Sequence, residues 1–150
     1  MKNKGLGFLF LLLGCEPGKV SETNDEAVYF EWEEGDDAPR IAQGHIYCEM
    51  DPADFYVFYI SVLADDPQGA SDICTGCGVW RAYNEAESML VEDSLICDGN
   101  DCVYSFHAEQ YPEIPCQLLD TFRFEAELFD YNENSTGVFD LQVLDSAPSN

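Results

Sequence analysis

Positive charge is nearly missing from this chain: its 150 residues hold 6 Lys and Arg against 30 Asp and Glu, a formal net charge of −24. Such a surface repels phosphate backbones and anionic head groups, which excludes nucleic acid as a partner and electrostatic attraction as a route to lipid. Apolar runs are short. Gly5–Leu13 falls well below the ~20 residues of a membrane-spanning helix. No stretch sustains the 3.6-residue period of an amphipathic helix. Histidine occurs only at His45 and His107, and neither sits in an H-E-x-x-H motif. A G-x-S-x-G elbow and a phosphate-cradling glycine loop are both lacking. Among 30 carboxylates no one pair stands out as a glycosidase couple. The common anchors of hydrolytic and nucleotide chemistry are therefore absent.

What is present begins with the leader. Met1-Lys2-Asn3-Lys4 is a short positive start, Gly5–Leu13 carries no polar side chain, and Gly14-Cys15 follows. A charged start, a short apolar core and a small residue before the cut make a secretory signal. Leu12-Leu13-Gly14-Cys15 resembles the lipobox of bacterial lipoproteins. That resemblance implies cleavage after Gly14, acylation of Cys15, and attachment to the membrane through the acyl chains. With Glu16 after the cysteine it implies a place in the bacterial cell envelope, at the outer membrane. Loss of the leader removes Lys2 and Lys4 and takes the charge from −24 to −26, leaving Lys19, Arg40, Arg81 and Arg123 as cations.

The apolar share of 46% is too high for a disordered chain of this charge, so most of the mature part must build a core. Residues 15–26 hold one valine and no aromatic residue and are expected to be a flexible acidic tether. Residues 27–145 are expected to form one domain and 146–150 a loose tail.

Within the domain the apolar period is two, the period of a strand. Val28, Phe30 and Trp32 alternate with polar neighbours, as do Ile46, Cys48 and Met50. Phe55–Ala64 is apolar on both faces, which predicts a central strand. Asp65-Asp66-Pro67-Gln68-Gly69 should end it as a turn. Val79–Tyr83, Met89–Val91 and Cys102–His107 are shorter strand candidates. In Phe122–Phe129 the even positions Phe122, Phe124, Ala126 and Leu128 should face inward and Arg123, Glu125 and Glu127 should face solvent. Val138–Leu144 should follow the polar turn Asp130–Gly137 with Phe139, Leu141 and Val143 inward. Many short strands separated by turns predict an all-β, antiparallel β-sandwich.

Phe55–Ile73 and the hairpin Phe122–Leu144 resemble an inner strand and the closing hairpin of immunoglobulin-like and fibronectin type III-like modules. The resemblance implies an immunoglobulin-like sandwich used for binding or display. The inter-sheet Cys…Trp…Cys spacing of true immunoglobulin domains has no counterpart.

Six cysteines remain beyond Cys15, and an even number in an exported domain predicts disulfides. Cys97 and Cys102 flank the turn Asp98-Gly99-Asn100-Asp101 and can meet across a hairpin. Cys74-Thr75-Gly76-Cys77 can close on itself. Cys48 and Cys116 would then join distant strands. Two other uses compete: a thioredoxin-like redox pair at Cys74 and Cys77, and a zinc ribbon from Cys74, Cys77, Cys97 and Cys102. The first needs a helix after the pair, where the sequence is strand-like. The second needs two residues inside its last pair, where four are found.

Asp130, Asn132 and Asn134 resemble the opening ligands of a calcium loop, although the glycine and glutamate of a full EF-hand are missing at Ser135 and Leu141. Asp65, Asp66 and Asp72, or Asp98, Asn100 and Asp101, offer similar oxygen sets. Ordinary Asp and Asn turns are the favoured reading of all three. Trp32, Trp80, Tyr83, Tyr104 and Tyr111 are candidates for an exposed stacking platform, with core packing as the alternative. The reading at this level is a lipid-anchored, non-catalytic domain that binds or displays toward a protein or glycan. The alternative is a small extracytoplasmic hydrolase, which would need a pocket joining a histidine to carboxylates.

Overall fold

A computed structural model describes residues 30–148. The expected leader, Cys15 and the expected tether lie outside the described residues. Eight strands follow in chain order: β1 (Arg40–Met50), β2 (Tyr56–Asp65), β3 (Gly78–Tyr83), β4 (Met89–Asp98), β5 (Asp101–His107), β6 (Arg123–Glu127), β7 (Phe139–Asp140) and β8 (Gln142–Leu144). Helix is limited to short 3-10 segments in the connections. The fold is all-β, as the period-two pattern requires.

The strands form one mixed sheet in the order β7-β6-β3-β4-β5-β2-β1-β8. Neighbours are antiparallel except β1 and β8, which run parallel. Two segments of chain turn this sheet into a barrel-like body. β4 pairs with β3 from Met89 to Leu95 and with β5 from Ile96 to Asp98. The closing segment pairs with β6 at Phe139–Asp140 and with β1 at Gln142–Leu144, joining the two ends of the strand order. Strands that change partner in this way make corners, and the sheet curls around its own core. An immunoglobulin-like sandwich of two separate sheets is therefore not confirmed. Alternation reports which face of a strand is buried and is silent on whether the opposing wall is a second sheet or the same sheet returning.

Close approach at the corners explains two glycines. A Cβ on Gly44 would lie 2.6 Å from Leu141 Cδ2, where the closing segment crosses β1. One on Gly78 would lie 2.7 Å from Leu128 Cδ2 and 3.0 Å from the Leu95 carbonyl.

The interior is aromatic. Trp80 is fully buried and stacks on Phe106 at 5.2 Å between centroids, and Phe106 stacks on Phe58 at 4.9 Å. Tyr111 meets Trp80 and Phe106 edge-on. It belongs to the long β5–β6 connection, which also buries Ile114 and Leu119 and so fills the interior from one end. Trp80, Tyr104 and Tyr111 are thus packing residues and do not form an exposed platform. Tyr83 lies under the Arg123 guanidinium, and Trp32 packs with Phe30 and Arg40. The predicted strand at 28–32 falls partly outside the described residues, and Phe30–Trp32 form none.

The outer side of β6 is less open than the alternation predicts. Glu125 is buried and pairs with Arg123, while Glu127 is half-buried and accepts from Arg81 at 3.1 Å. Arg81 also donates to Glu92. Scarce cations draw these carboxylates inward across β3, β4 and β6. Asp36, Glu87 and Asp140 also meet an arginine, and most other acids among the described residues have no such neighbour. The melting temperature should therefore rise as sodium chloride rises from ~0.01 to ~0.1 M, where the screening length drops from ~30 to ~10 Å. A thermal melt independent of salt would refute charge repulsion as a limit on stability.

One carboxylate faces inward with the apolar side of β4. Asp93 lies between Val91 and Leu95 and accepts from the hydroxyls of Tyr104, at 3.1 Å, and Tyr111. The Tyr111 bond comes first among the causes that hold the Asp93 carboxyl below the ordinary range, against the opposing effect of burial. Burial and the same contact push the Tyr111 phenol up. A depressed carboxyl stabilises the fold above its unfolded pKa of ~3.9 and loses that contribution as pH falls through its folded value. Tyr111→Phe should cost about 1.5–3 kcal/mol at pH 7, the range for a hydrogen bond to a charged group. Its deficit should shrink in acid below that window, as measured by urea unfolding at a series of pH values. An equal deficit at all pH values would show that packing alone is lost.

Candidate functional site

The main exposed feature is the outer face of β1, β2, β5 and the end of β4. Register sets its side chains in rows. Tyr47 lies opposite Tyr59, and Tyr59 opposite Ser105. In the next row His45 faces Ser61, Ser61 faces Val103, and Val103 faces Ile96. On β1, β2 and β5 the odd-numbered residues face out because the even-numbered Ile46, Phe58, Ile60 and Phe106 fill the core, and on β4 Ile96 faces out between buried Leu95 and Cys97. Tyr47 and Tyr59 stack at 5.1 Å with 14° between planes, and His45 stacks beside Tyr47 at 6.1 Å. Ile96 is 54% and Val103 58% exposed. An open depression of about 680 Å³ follows these rows, and Pro148 reaches its wall.

The strip is uncharged. Burial lowers the His45 pKa and so favours the neutral ring. The Tyr47 phenol is pushed up by burial, by Glu49 and by Tyr59, and stays protonated. Carboxylates stand at both ends: exposed Asp98 and Asp101 at the β4–β5 turn, and exposed Glu49 on β1. In a chain of this charge, a neutral aromatic and aliphatic strip with acidic flanks is a local exception.

Neither histidine gathers an acid pair among the described residues. The His45 depression is lined by Tyr, Ser, Ile, Val and Pro. His107 meets Phe55 edge-on and shares a hollow with Glu109 and Gln110.

The cysteines pair as Cys48–Cys116, Cys74–Cys77 and Cys97–Cys102, with Cα separations of 5.7, 5.3 and 3.9 Å. With all six in disulfides, the zinc ribbon has no free thiolates, and strand β3 follows Cys77 where a redox pair would need a helix. Cys15 lies outside the described residues.

The calcium candidates separate. Asp130 is buried, and its Oδ1 accepts from the backbone of Asn132 and Asn134, both at 2.8 Å. Asn134 donates its side-chain amide to Asp130 Oδ2 and to the Asp37 carbonyl, and exposed Asn132 contributes through its backbone N–H. The loop is an Asx turn, and only Asp130 reaches a group of acids. That group is completed by Asp66 and Asp72 from the β2–β3 connection, with one oxygen from each within 4.8 Å of the others.

No protein-family model, curated protein or solved structure matches the chain. Function therefore rests on these side chains. Tyr59 and Ser61 did have a sequence signal. A central strand apolar on both faces needs cover on both, and a sequence without a sustained amphipathic helix offers no layer to put over the second.

Proposed function

We propose that the protein is a cell-envelope lipoprotein, anchored through Cys15, whose barrel is a non-catalytic docking domain for another protein. The observation that carries the docking reading is the uncharged Tyr47–Tyr59 strip with exposed Ile96 and Val103. Aromatic and aliphatic exposure of this kind on a sheet face marks an interaction surface. Acidic flanks at Glu49, Asp98 and Asp101 favour a partner with a matching apolar strip and basic borders, since opposite charge steers encounter and fixes orientation. The lipobox and three disulfides support export to an oxidising compartment. The immunoglobulin-like resemblance enters only as an analogy of use, a stapled β scaffold that presents one face. Hydrolysis is the weaker reading, because neither histidine has two carboxylates beside it.

Cys15→Ser should move nearly all of the protein from the membrane fraction to the soluble fraction; full retention would overturn the anchor. For the docking face, a photo-crosslinker at Ser105 in cells should give one adduct, identified by mass spectrometry and reproduced with the purified partner. Tyr59→Glu should weaken that binding by about 100-fold, in the range of a hot-spot loss of ~2–3 kcal/mol. The same probe at Glu85, outside the strip, should give none. Neutral oligosaccharides bound through Tyr47 and Tyr59, with no protein adduct at Ser105, would replace the protein partner by a glycan.

A further inference from the structure

Three carboxylates converge from two loops that are distant in sequence. The β2–β3 connection supplies Asp66 and Asp72, and the β6–β7 connection supplies Asp130. Backbone bonds hold the loops side by side: Tyr131 N–H donates to the Asp72 carbonyl at 3.0 Å and Cys74 N–H to the Phe129 carbonyl at 2.8 Å. The arrangement is therefore part of the fold and not a chance meeting of surface side chains. Asp66 is 3% exposed and Asp130 2%.

Acids near one another are ordinary in so acidic a chain. The state of Asp66 is not ordinary. Its Oδ1 accepts from Gln68 N–H at 2.7 Å, and its buried Oδ2, one carboxylate oxygen of this group, has no hydrogen-bond partner. Asp72 Oδ2 is likewise buried and unpartnered. A buried carboxylate oxygen without a donor is costly, and two in one group of three acids are more so. Arg40, Arg81 and Arg123 are bound elsewhere, to Asp36, to Glu92 and Glu127, and to Glu87 and Glu125. No described cation of the protein compensates this group.

We propose that Asp66, Asp72 and Asp130 bind one divalent cation, calcium by preference. The donors are all hard oxygens, with no imidazole or thiolate, which disfavours zinc and copper. Calcium accepts irregular geometry from loops and completes its shell of 6–8 oxygens with carbonyls and water, whereas magnesium demands a near-octahedral set. The cation supplies the positive charge missing between two loops and pins the β6–β7 excursion to the end of β2. Asn134 ties the same place to the Asp37 carbonyl, so the approach to β1 is held too. The role is structural, and it is independent of the docking strip.

The test uses the mature chain stripped of metal by a chelator. Calorimetric titration with calcium chloride should show one saturable site. The melting temperature should rise by about 5–10 °C at ~100-fold excess over Kd, compared with sodium chloride of equal ionic strength. Magnesium should give less than half that shift. The double variant Asp66→Asn, Asp72→Asn keeps the side-chain oxygen that accepts from Gln68 and removes two charges. It should melt at least as high as the metal-free wild type and lose the calcium response. Equal melting of the wild type in both salts would overturn the site, and would mean that a proton relieves the three acids instead. A calcium gain retained in the double variant would overturn it as well, by assigning the effect to other carboxylates. If the variant fails to fold, the wild-type stoichiometry and the matched-salt melt still decide the matter.

Discussion

Trp80→Ala is expected to lower stability by about 3–5 kcal/mol, a large part of the ~5–15 kcal/mol that holds a domain of this size. The side chain has no exposed surface and sits at the meeting point of Phe106, Tyr104 and Tyr111. Truncation removes its own burial and leaves a cavity that these rings cannot readily collapse into, since they are held by two different parts of the frame. Phe106 is on β5, and Tyr111 on the connection that crosses the interior. A second substitution separates packing from polarity. Trp80 Nε1 is buried without a hydrogen-bond partner, so its N–H is a cost the fold carries. Trp80→Phe keeps a stacking ring and removes that N–H, and should cost less than half of the alanine change. Urea unfolding at fixed salt measures both. An alanine cost under ~1.5 kcal/mol would mean that the aromatic cluster is not the core of the barrel.

Removing the Cys48–Cys116 bridge with paired alanines should cost about 4 kcal/mol, against about 2 kcal/mol for Cys97–Cys102, by the loop-entropy model. The difference follows from the closed loops, 68 residues of separation in one and 5 in the other. Cys48 and Cys116 are half-buried, so little packing is lost with the bond. Cys97 and Cys102 are both buried, and their replacement also opens a void. The two origins of stability can thus be told apart by order. If the short bridge proves the more costly, core packing outweighs chain entropy here. The long bridge ties β1 to the start of the 3-10 segment Cys116–Thr121 in the β5–β6 connection. Its loss should also expose that connection, and limited proteolysis between Ala108 and Phe122 should speed up before global unfolding does.

Much of this molecule is local chemistry and could be read without coordinates. Alternation in Phe122–Phe129 places Phe124, Ala126 and Leu128 inside because successive side chains of a strand point to opposite faces, and it does so in any β architecture. The turn Asp98–Asp101 brings Cys97 and Cys102 together because a tight hairpin aligns its flanking residues, Cys74 and Cys77 are close in the chain, and Cys48 with Cys116 is the pair that remains. The leader and lipobox proposed for the first residues would be linear signals, whose reading needs no fold. Charge, too, is a sum over the chain.

What only the tertiary structure decided depends on which strands meet. The change of partner along β4 and across Phe139–Leu144 makes one curled sheet where hairpins alone suggest a two-sheet sandwich, since no local pattern encodes the partner of a strand's far half. Glu127 is drawn to Arg81 across the β3–β6 pairing, which alternation cannot see, while Glu125 pairs with Arg123 of its own strand. Tyr47, Tyr59, Val103 and Ile96 become one surface only when β1, β2, β5 and β4 are laid side by side. Asp66 and Asp72 on one side and Asp130 on the other stand more than fifty residues apart in the chain, and each alone is an ordinary turn residue. Convergence of their oxygens within 4.8 Å is a property of two loops packed together, and long-range packing is the one thing that composition, period and spacing do not carry.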